Sequence, residues 1–307
     1  MIELFRGIKV DWLGKRKLFF VISIVLLVIG MASLLYRGEF NYGLDFKGGT
    51  VVSVRFSDNV EIGKIRDLLP DASIQAVQNT SGAGGSEFQI ELGQSVVNED
   101  ASIGRQTVTS ALEKNFPGKF TVLGSESVSA KVGGDLRRQA VMATLYALVG
   151  ILIYIAFRFE WIYGAAAVFA VFHDTLVTLG FFSLFNYEIN LTVIAALLTL
   201  VGYSVNDTIV VFDRVRENLK MRRRDDFETI LNDSINQTLS RTILTSGLTF
   251  LTVLALFIFG GEIINNFAFA MVIGIIVGTY SSVAVAAPLV LIYTNARKPK
   301  AVAANRR

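Results

Sequence analysis

The chain has 307 residues, 52% of them hydrophobic, and its mean hydropathy is +0.51. These values exclude an ordinary soluble domain and place the chain among integral membrane proteins. The net charge is only +3 and there is no cysteine, so we expect neither a nucleic-acid partner nor disulfide or thiolate chemistry.

Six apolar segments are long enough to cross a bilayer, since a helix through about 30 Å of hydrocarbon needs roughly 20 residues. The first has a basic run before it, but it is longer than the apolar part of a signal peptide and no convincing cleavage site follows. We therefore interpret it as a retained span. The last is long enough to be tilted, or broken near Pro288. The segments are 18–35, 140–157, 161–185, 191–212, 242–259 and 267–293.

The distribution of Lys and Arg predicts the orientation. Basic residues precede the first span, fill the connection between spans four and five, and follow span six, whereas connections 186–190 and 260–266 contain none. Such residues concentrate in cytoplasmic connections, so we expect both termini in the cytoplasm. The predicted parts are residues 1–37 (N-terminus and first span), 38–138 (extracytoplasmic domain), 139–295 (five-helix bundle) and 296–307 (basic cytoplasmic tail).

The segment between the first two spans has the composition of a soluble domain. Apolar alternation and helical spacing predict elements in the order β-α-β-β-α-β, which is the ferredoxin-like arrangement. Residues 81–85 read as a flexible turn, and residues 131–138 as either a hinge or a simple loop. The predicted strands are 51–56, 74–77, 88–92 and 120–123 or 120–128, and the predicted helices are 62–69 and 103–116.

On the cytoplasmic side, apolar residues between 227 and 239 recur at three- and four-residue spacing. This pattern predicts an amphipathic helix that lies in the membrane interface and leads into span five.

Asp207 is the most costly residue of span four, since a carboxylate at the centre of a span costs about 2.5–3.5 kcal/mol. It lies about 7 Å inside the inner end of its helix at 1.5 Å per residue. Span five runs the opposite way and begins just after Arg241, at a compatible depth. We expect a pair that stabilises ionised Asp207 and whose weakening favours proton uptake. The alternatives are a static carboxylate at Asp207 and an ordinary positive flank at Arg241.

His173 and Asp174 lie near the middle of span three. They could form a second proton relay or a structural clamp on span four, or His173 could simply pack in the core. Asp213 and Arg214 read as boundary residues.

No enzyme signature is present. The chain has no phosphate-binding P-loop, and its single histidine excludes a His-rich zinc site. Gly48 and Gly49 lack the strand-to-helix context of a nucleotide loop. We therefore expect no enzymatic activity, no cofactor and no metal.

Four motifs resemble the SecD/SecF family, and together they extend the resemblance over essentially the whole chain. The sequence YGLDFKGGT at 42–50 is similar to the glycine-rich motif after the first span of these proteins. FHD at 172–174, GYSVNDTIVVFDRVREN at 202–218 and SRTILTS at 240–246 resemble SecF members specifically. The motif positions carried over are Gly43, Asp45, Gly48, Gly49, Gly202 and Asn206.

This resemblance implies a multi-pass protein of the bacterial inner membrane, built like half of an RND-superfamily transporter. It implies SecD as partner, the SecYEG channel and the insertase YidC as further partners, and a preprotein as cargo. Asp207 and Arg241 match the family's proton-pathway residues, so the implied function is to couple the proton-motive force to preprotein translocation.

Two other functions remain open at this stage: an RND-type exporter of lipids or small molecules, and a scaffold of the translocase. An exporter needs a ligand-sized cleft in its outer domain, and about 100 residues is small for one.

Overall fold

The computed structural model describes residues 9–77, 85–93, 101–158 and 160–297. Six helices in these ranges are long and apolar enough to cross a membrane, as the hydropathy predicts. The first five spans are Arg16–Arg37, Ala130–Arg158, Trp161–Phe185, Leu191–Met221 and Phe227–Phe259. The sixth combines Glu262–Ser281, a π-helical turn Ser282–Ala286 and Ala287–Arg297.

Spans three, four and six form the centre of the bundle. Half of the apolar window of spans three and four, and 67% of that of span six, is buried, against 6–17% for the other three. Small residues allow close helix contact in membranes, and Gly30 and Gly180 bring spans one and three together. A Cβ at Gly30 would lie 2.7 Å from the Cα of Gly180.

The predicted irregularity near Pro288 is the π-helical turn Ser282–Ala286. Proline has no N–H to donate and its ring clashes with the carbonyl four residues earlier, so one wider turn before it relieves the clash. Isolated π turns are frequent at functional sites. Here the turn begins at the second of two consecutive serines, Ser281 and Ser282, both fully buried.

Between spans one and two lies an antiparallel sheet of four strands: β1 Gly49–Phe56, β2 Ala72–Val77, β3 Glu87–Gly93 and β4 Phe120–Val128. Their order in the sheet is β2-β3-β1-β4. Helices Ile62–Leu68 and Ala101–Asn115 follow β1 and β3 in the chain, and a short helix, Leu44–Lys47, precedes β1. Alternate residues of β1 (Val52, Val54 and Phe56) are fully buried, as period-two alternation requires. We call Gly49–Val128 the sheet domain.

Some sequence predictions fall on residues that the structure does not describe. The predicted turn at 81–85 lies outside the described residues except for Gly85, and so does the predicted tail from residue 298 onward.

The prediction of a hinge or loop at 131–138 is wrong, because these residues form the first turns of the second span. The predicted domain boundary at 138 therefore falls inside a helix. Glycines in this segment suggested a loop, but Gly133 instead allows the helix to pack closely against a neighbouring segment. A Cβ at Gly133 would lie 3.1 Å from the carbonyl oxygen of Phe46.

The predicted interface helix at 227–239 is continuous with span five. Its apolar residues Ile230, Leu231 and Ile235 are buried, and the last two pack in one cluster with Leu13 and Val215. Protein rather than lipid headgroups covers this face. Asn232 and Asn236 fasten the N-terminal segment to it through hydrogen bonds with the backbone of residues 10–13.

Candidate functional site

Asp207 lies near the middle of span four, with a relative exposure of 2%. Its Oδ2 accepts a hydrogen bond of 2.7 Å from Ser246 Oγ on span five. The two spans are antiparallel neighbours, and the small serine brings its hydroxyl directly to the carboxylate. The carboxylate of Asp207 is thus held by a neutral donor within the bundle.

The predicted ion pair between Asp207 and Arg241 is not formed among the described residues. Arg241 is exposed, and it attracts the carboxylate only from a longer distance. The reason is helix geometry. Arg241 and Ser246 are five residues apart, about 140° around a helix with 3.6 residues per turn, so both cannot face Asp207 directly.

Asp174 joins the three central spans. Its Oδ1 lies 3.0 Å from His173 Nδ1, and its Oδ2 accepts hydrogen bonds from Ser204 Oγ at 2.6 Å and Ser281 Oγ at 2.7 Å. The carboxylate is 1% exposed. The contact to span four that the clamp hypothesis requires is therefore present, and the contact to span six was not predicted.

A fourth interspan contact joins Thr208 Oγ1 and Ser282 Oγ at 2.9 Å. Thr208 follows Asp207 directly, and Ser204 precedes Asp207 by three residues. Span four therefore contributes to three of the four contacts, and the Asp174–Ser281 bond joins spans three and six. We call this group the polar centre. It comprises His173, Asp174, Ser204, Asp207, Thr208, Ser246, Ser281 and Ser282.

The polar centre combines titratable groups with hydroxyls, the side chains that proton transfer requires. A lone charge is costly inside a bilayer, and such residues mark proton or ion pathways by default. His173 Nε2 is buried and has no hydrogen-bond partner among the described residues.

Five of these residues, all Ser or Thr, were missed from the sequence. Hydroxyl side chains are common in spanning helices, where most bond to the backbone of their own helix. Hydropathy does not distinguish these hydroxyls from the few that bond to a neighbouring span. One usable signal was the spacing of Ser204 and Asp207, which puts both on one face of span four. Another was the Ser281–Ser282 pair ahead of Pro288.

Two predicted motif residues of span four lie away from the polar centre. Gly202 and Asn206 are exposed, and a Cβ at Gly202 would meet no atom within 4 Å.

The glycine-rich motif at 42–50 lies where the sheet domain meets span four. Asp45 Oδ2 accepts a hydrogen bond of 2.8 Å from the backbone N–H of Leu191. Gly48 and Gly49 have φ of +74° and +144°, which favours glycine. Within the described ranges, no group of three or more His, Cys, Asp or Glu side chains is placed to hold a metal ion.

Comparison with known families gives two matches. Residues 107–296 match the model of the protein export membrane protein SecD/SecF, C-terminal region. Residues 39–60 match the SecD/SecF GG motif, which overlaps the glycine-rich segment described above.

Similar proteins extend over nearly the whole chain. The protein translocase subunit SecF of Calditerrivibrio nitroreducens is 48% identical, with 94% of this chain and 95% of the relative covered. That of Koribacter versatilis is 40% identical, with 99% and 96% covered.

Among solved structures, SecDF from Thermus thermophilus, described as a translocon-associated membrane protein, matches with a TM-score of 0.82 and 39% identity over 94% of this chain. This chain spans 39% of that longer one. With its six helices, it is a multi-pass membrane protein that belongs to the SecF family of protein translocase subunits.

Proposed function

We propose that this protein couples the proton-motive force to the movement of preproteins across the bacterial inner membrane. The observation that carries the proposal is Asp207, a carboxylate 2% exposed within a span and hydrogen-bonded to a neutral serine. A carboxylate with a basic ion-pair partner would be held in its charged form. Asp207 has a neutral donor instead, so gain and loss of a proton would change its contact with span five.

The energies are compatible with this role. One proton crossing 100 mV releases about 2.3 kcal/mol, whereas an interspan hydrogen bond in a membrane is worth about 0.6 kcal/mol on average and at most about 1.7. A single proton therefore carries enough free energy to break the Asp207–Ser246 contact and bias two packings of spans four and five.

Asp174 and His173 would form a second station of the same pathway. Ser204, which binds Asp174, lies three residues from Asp207, about 4.5 Å along span four. In this scheme Arg241 attracts the charged form of Asp207 from the cytoplasmic end of span five and favours release of the proton to that side.

The proposed orientation has both termini in the cytoplasm and residues 38–138 outside, where they would meet the preprotein. The distribution of Lys and Arg supports it. We also propose that the sheet domain is ferredoxin-like. Its strand order β2-β3-β1-β4, with a helix after β1 and after β3, supports this class.

The proposed partner is SecD, with SecYEG and YidC as further members of the assembly. In Thermus thermophilus a single SecDF chain contains a region similar to this one, and spans one, two and five leave broad apolar faces exposed. The role is transport, without an enzymatic reaction of its own.

The test is preprotein translocation in membrane vesicles that carry this protein with its partners and an imposed proton gradient. Asp207→Asn keeps the shape of the side chain but removes its titration, so the gradient-dependent part of translocation should be lost while the complex still assembles. The matched control is Asp213→Asn, six residues further along the same span. Gradient-dependent translocation that survives Asp207→Asn would refute the proposal. Arg241→Met should give a partial defect, since it acts from a distance.

A further inference from the structure

The glycine-rich motif has no part in the polar centre, yet it contacts the helix that carries Asp207. We propose that residues 41–49 are a rigid coupling element, which fastens the sheet domain to the first turn of span four so that displacement of span four moves the sheet domain. The mechanical role rests on the proposed function, whereas the contact can be tested without it.

The element is joined to the connection between spans three and four by backbone hydrogen bonds. Gly43 N–H donates to Ile189 O at 2.9 Å, and Ile189 N–H donates to Asn41 O at 2.7 Å, which forms a parallel bridge between Tyr42 and Ile189. Backbone pairing fixes both the position and the direction of the two segments.

Asp45 extends this attachment to span four itself. Its carboxylate accepts a hydrogen bond from the N–H of Leu191, the first residue of that helix. The first N–H groups of a helix have no partner within it, and a negative charge there is favourable. Asn190 caps the same end by accepting from Val193 N–H at 3.1 Å, so Asp45 completes a cap from a distant part of the chain.

Glu188 borders the element on the other side, where its carboxylate lies near the backbone N–H of Leu44. It occupies the space next to Gly43, where a Cβ would lie 2.1 Å from Glu188 Oε1. Glycine at this position of the motif is thus explained by the contact with Glu188.

The short helix of the element is also held by packing. Phe46 is 9% exposed and packs in one cluster with Ile189, Val193 of span four and Ala140 of the second span. Gly133 of the second span lies against the Phe46 carbonyl.

From this short helix the chain passes through Gly48 directly into β1. Strand β1 pairs with both β3 and β4, so the element ends in a central strand of the sheet. A Cβ at Gly49 would lie 2.4 Å from the carbonyl oxygen of Leu92. The backbone is therefore closely packed against β3 at the point where the element enters β1.

Span four connects the coupling element to Asp207. It lies sixteen residues from Leu191 on one unbroken helix, about 24 Å at 1.5 Å per residue. A shift of span four at Asp207 therefore moves Leu191, and with it the bonded carboxylate of Asp45.

Charged groups lie at the junction on each element packed there: Asp45 and Lys47 of the coupling element, Glu91 of β3, and Glu188. The second span contributes Arg137, whose guanidinium lies 4.7 Å from the centre of the Tyr42 ring. Burial raises the pKa of Glu188, and repulsion from Glu91 and Asp45 raises it further, against the opposing Leu44 N–H and Lys47. Protonation of Glu188 therefore relieves repulsion among three carboxylates and favours the attached state.

The decisive experiment compares proton flux with preprotein translocation in vesicles that carry the assembled complex. Asp45→Ala removes the bond to Leu191. Translocation should fall about tenfold, the effect of losing one charge-assisted hydrogen bond, while proton flux stays at the level of the unaltered protein. Asp45→Asn, whose amide oxygen still accepts from the N–H, should restore most of the translocation. Asp71→Ala, at an exposed site of the sheet domain, is the control for loss of a charge. Unchanged translocation in Asp45→Ala, or a parallel loss of proton flux, would overturn the proposal.

A second measurement is independent of any transport activity. Because the chain has no cysteine, spin labels can be attached to cysteines introduced at the exposed positions Ser125 of β4 and Ala195 of span four. The distance distribution between the labels should be narrow in the otherwise unaltered protein and broad in Asp45→Ala. Equal widths would overturn the coupling element. Broadening without any effect of Asp207→Asn on translocation would leave the contact standing and remove the proposed function.

Discussion

Ser204→Ala removes one of the two hydroxyls that hold Asp174 between the central spans. Ser204 Oγ donates to Asp174 Oδ2 at 2.6 Å, and each residue is 1% exposed. After the substitution only Ser281 still donates to this oxygen. The alanine leaves a space one oxygen atom in size, so the main loss is the hydrogen bond itself.

The expected loss of stability depends on whether the acceptor of the hydrogen bond is charged. A hydrogen bond to a charged group is worth about 1.5–3 kcal/mol, whereas interspan hydrogen bonds in membranes average about 0.6 and reach about 1.7. For a short hydrogen bond to a buried carboxylate we take a free energy where these two ranges overlap. We therefore expect a loss of about 1.5–2 kcal/mol in the free energy of unfolding, or roughly 10- to 30-fold in the equilibrium constant.

The assay is reversible unfolding by dodecyl sulfate in mixed micelles, followed by helix content. Thr199→Ala is the matched control, because Thr199 lies on an exposed face of the same span and bonds only to its own helix, at Ala195 O. Its effect should stay within about 0.5 kcal/mol. A Ser204→Ala protein as stable as that control would refute the role of the serine in holding Asp174.

Two further predictions concern Glu188 and Gly30. Burial and the neighbouring carboxylates raise the pKa of Glu188 above its ordinary value of 4.5, so its contribution to stability is fully present below that value and is lost as the pH rises through the raised pKa. Glu188→Gln should therefore melt at a higher temperature than the unaltered protein at pH 8 and lose part of the pH dependence; identical melting profiles would contradict this. Gly30→Ala places a Cβ 2.7 Å from the Gly180 backbone and should cost about 1–3 kcal/mol in the same unfolding titration. Gly134→Ala, whose Cβ meets no atom within 4 Å, should be neutral or stabilising by up to about 1 kcal/mol; equal losses in the two variants would argue against close packing of spans one and three.

The sequence was sufficient for the features that depend on local pattern. The number of spans follows from segment length and hydropathy, and the order of strands and helices in the sheet domain follows from apolar alternation and helical spacing. Asp207 was identifiable as a candidate because a carboxylate in an apolar segment is conspicuous on its own.

Features that depend on how helices rotate against each other were beyond the sequence. Arg241 and Ser246 both lie near the middle of span five, and only the packed structure decides that Ser246 faces Asp207. Contacts between segments that are far apart in the sequence could not be predicted either. From the sequence Gly133 resembles a loop residue, and only the structure shows that it packs against Phe46. Likewise, the residues around Glu188 do not indicate that its side chain fills the space beside Gly43.

The central claim is that protons pass by way of Asp207 when a polypeptide is moved. The most direct measurement is the rate of proton flux through vesicles that carry the assembled complex, recorded with a pH-sensitive dye in the presence and absence of a preprotein in transit. We expect flux that rises when the preprotein is present and is abolished by Asp207→Asn but not by Asp213→Asn. Flux that is the same in Asp207→Asn and in the unaltered protein would contradict the claim.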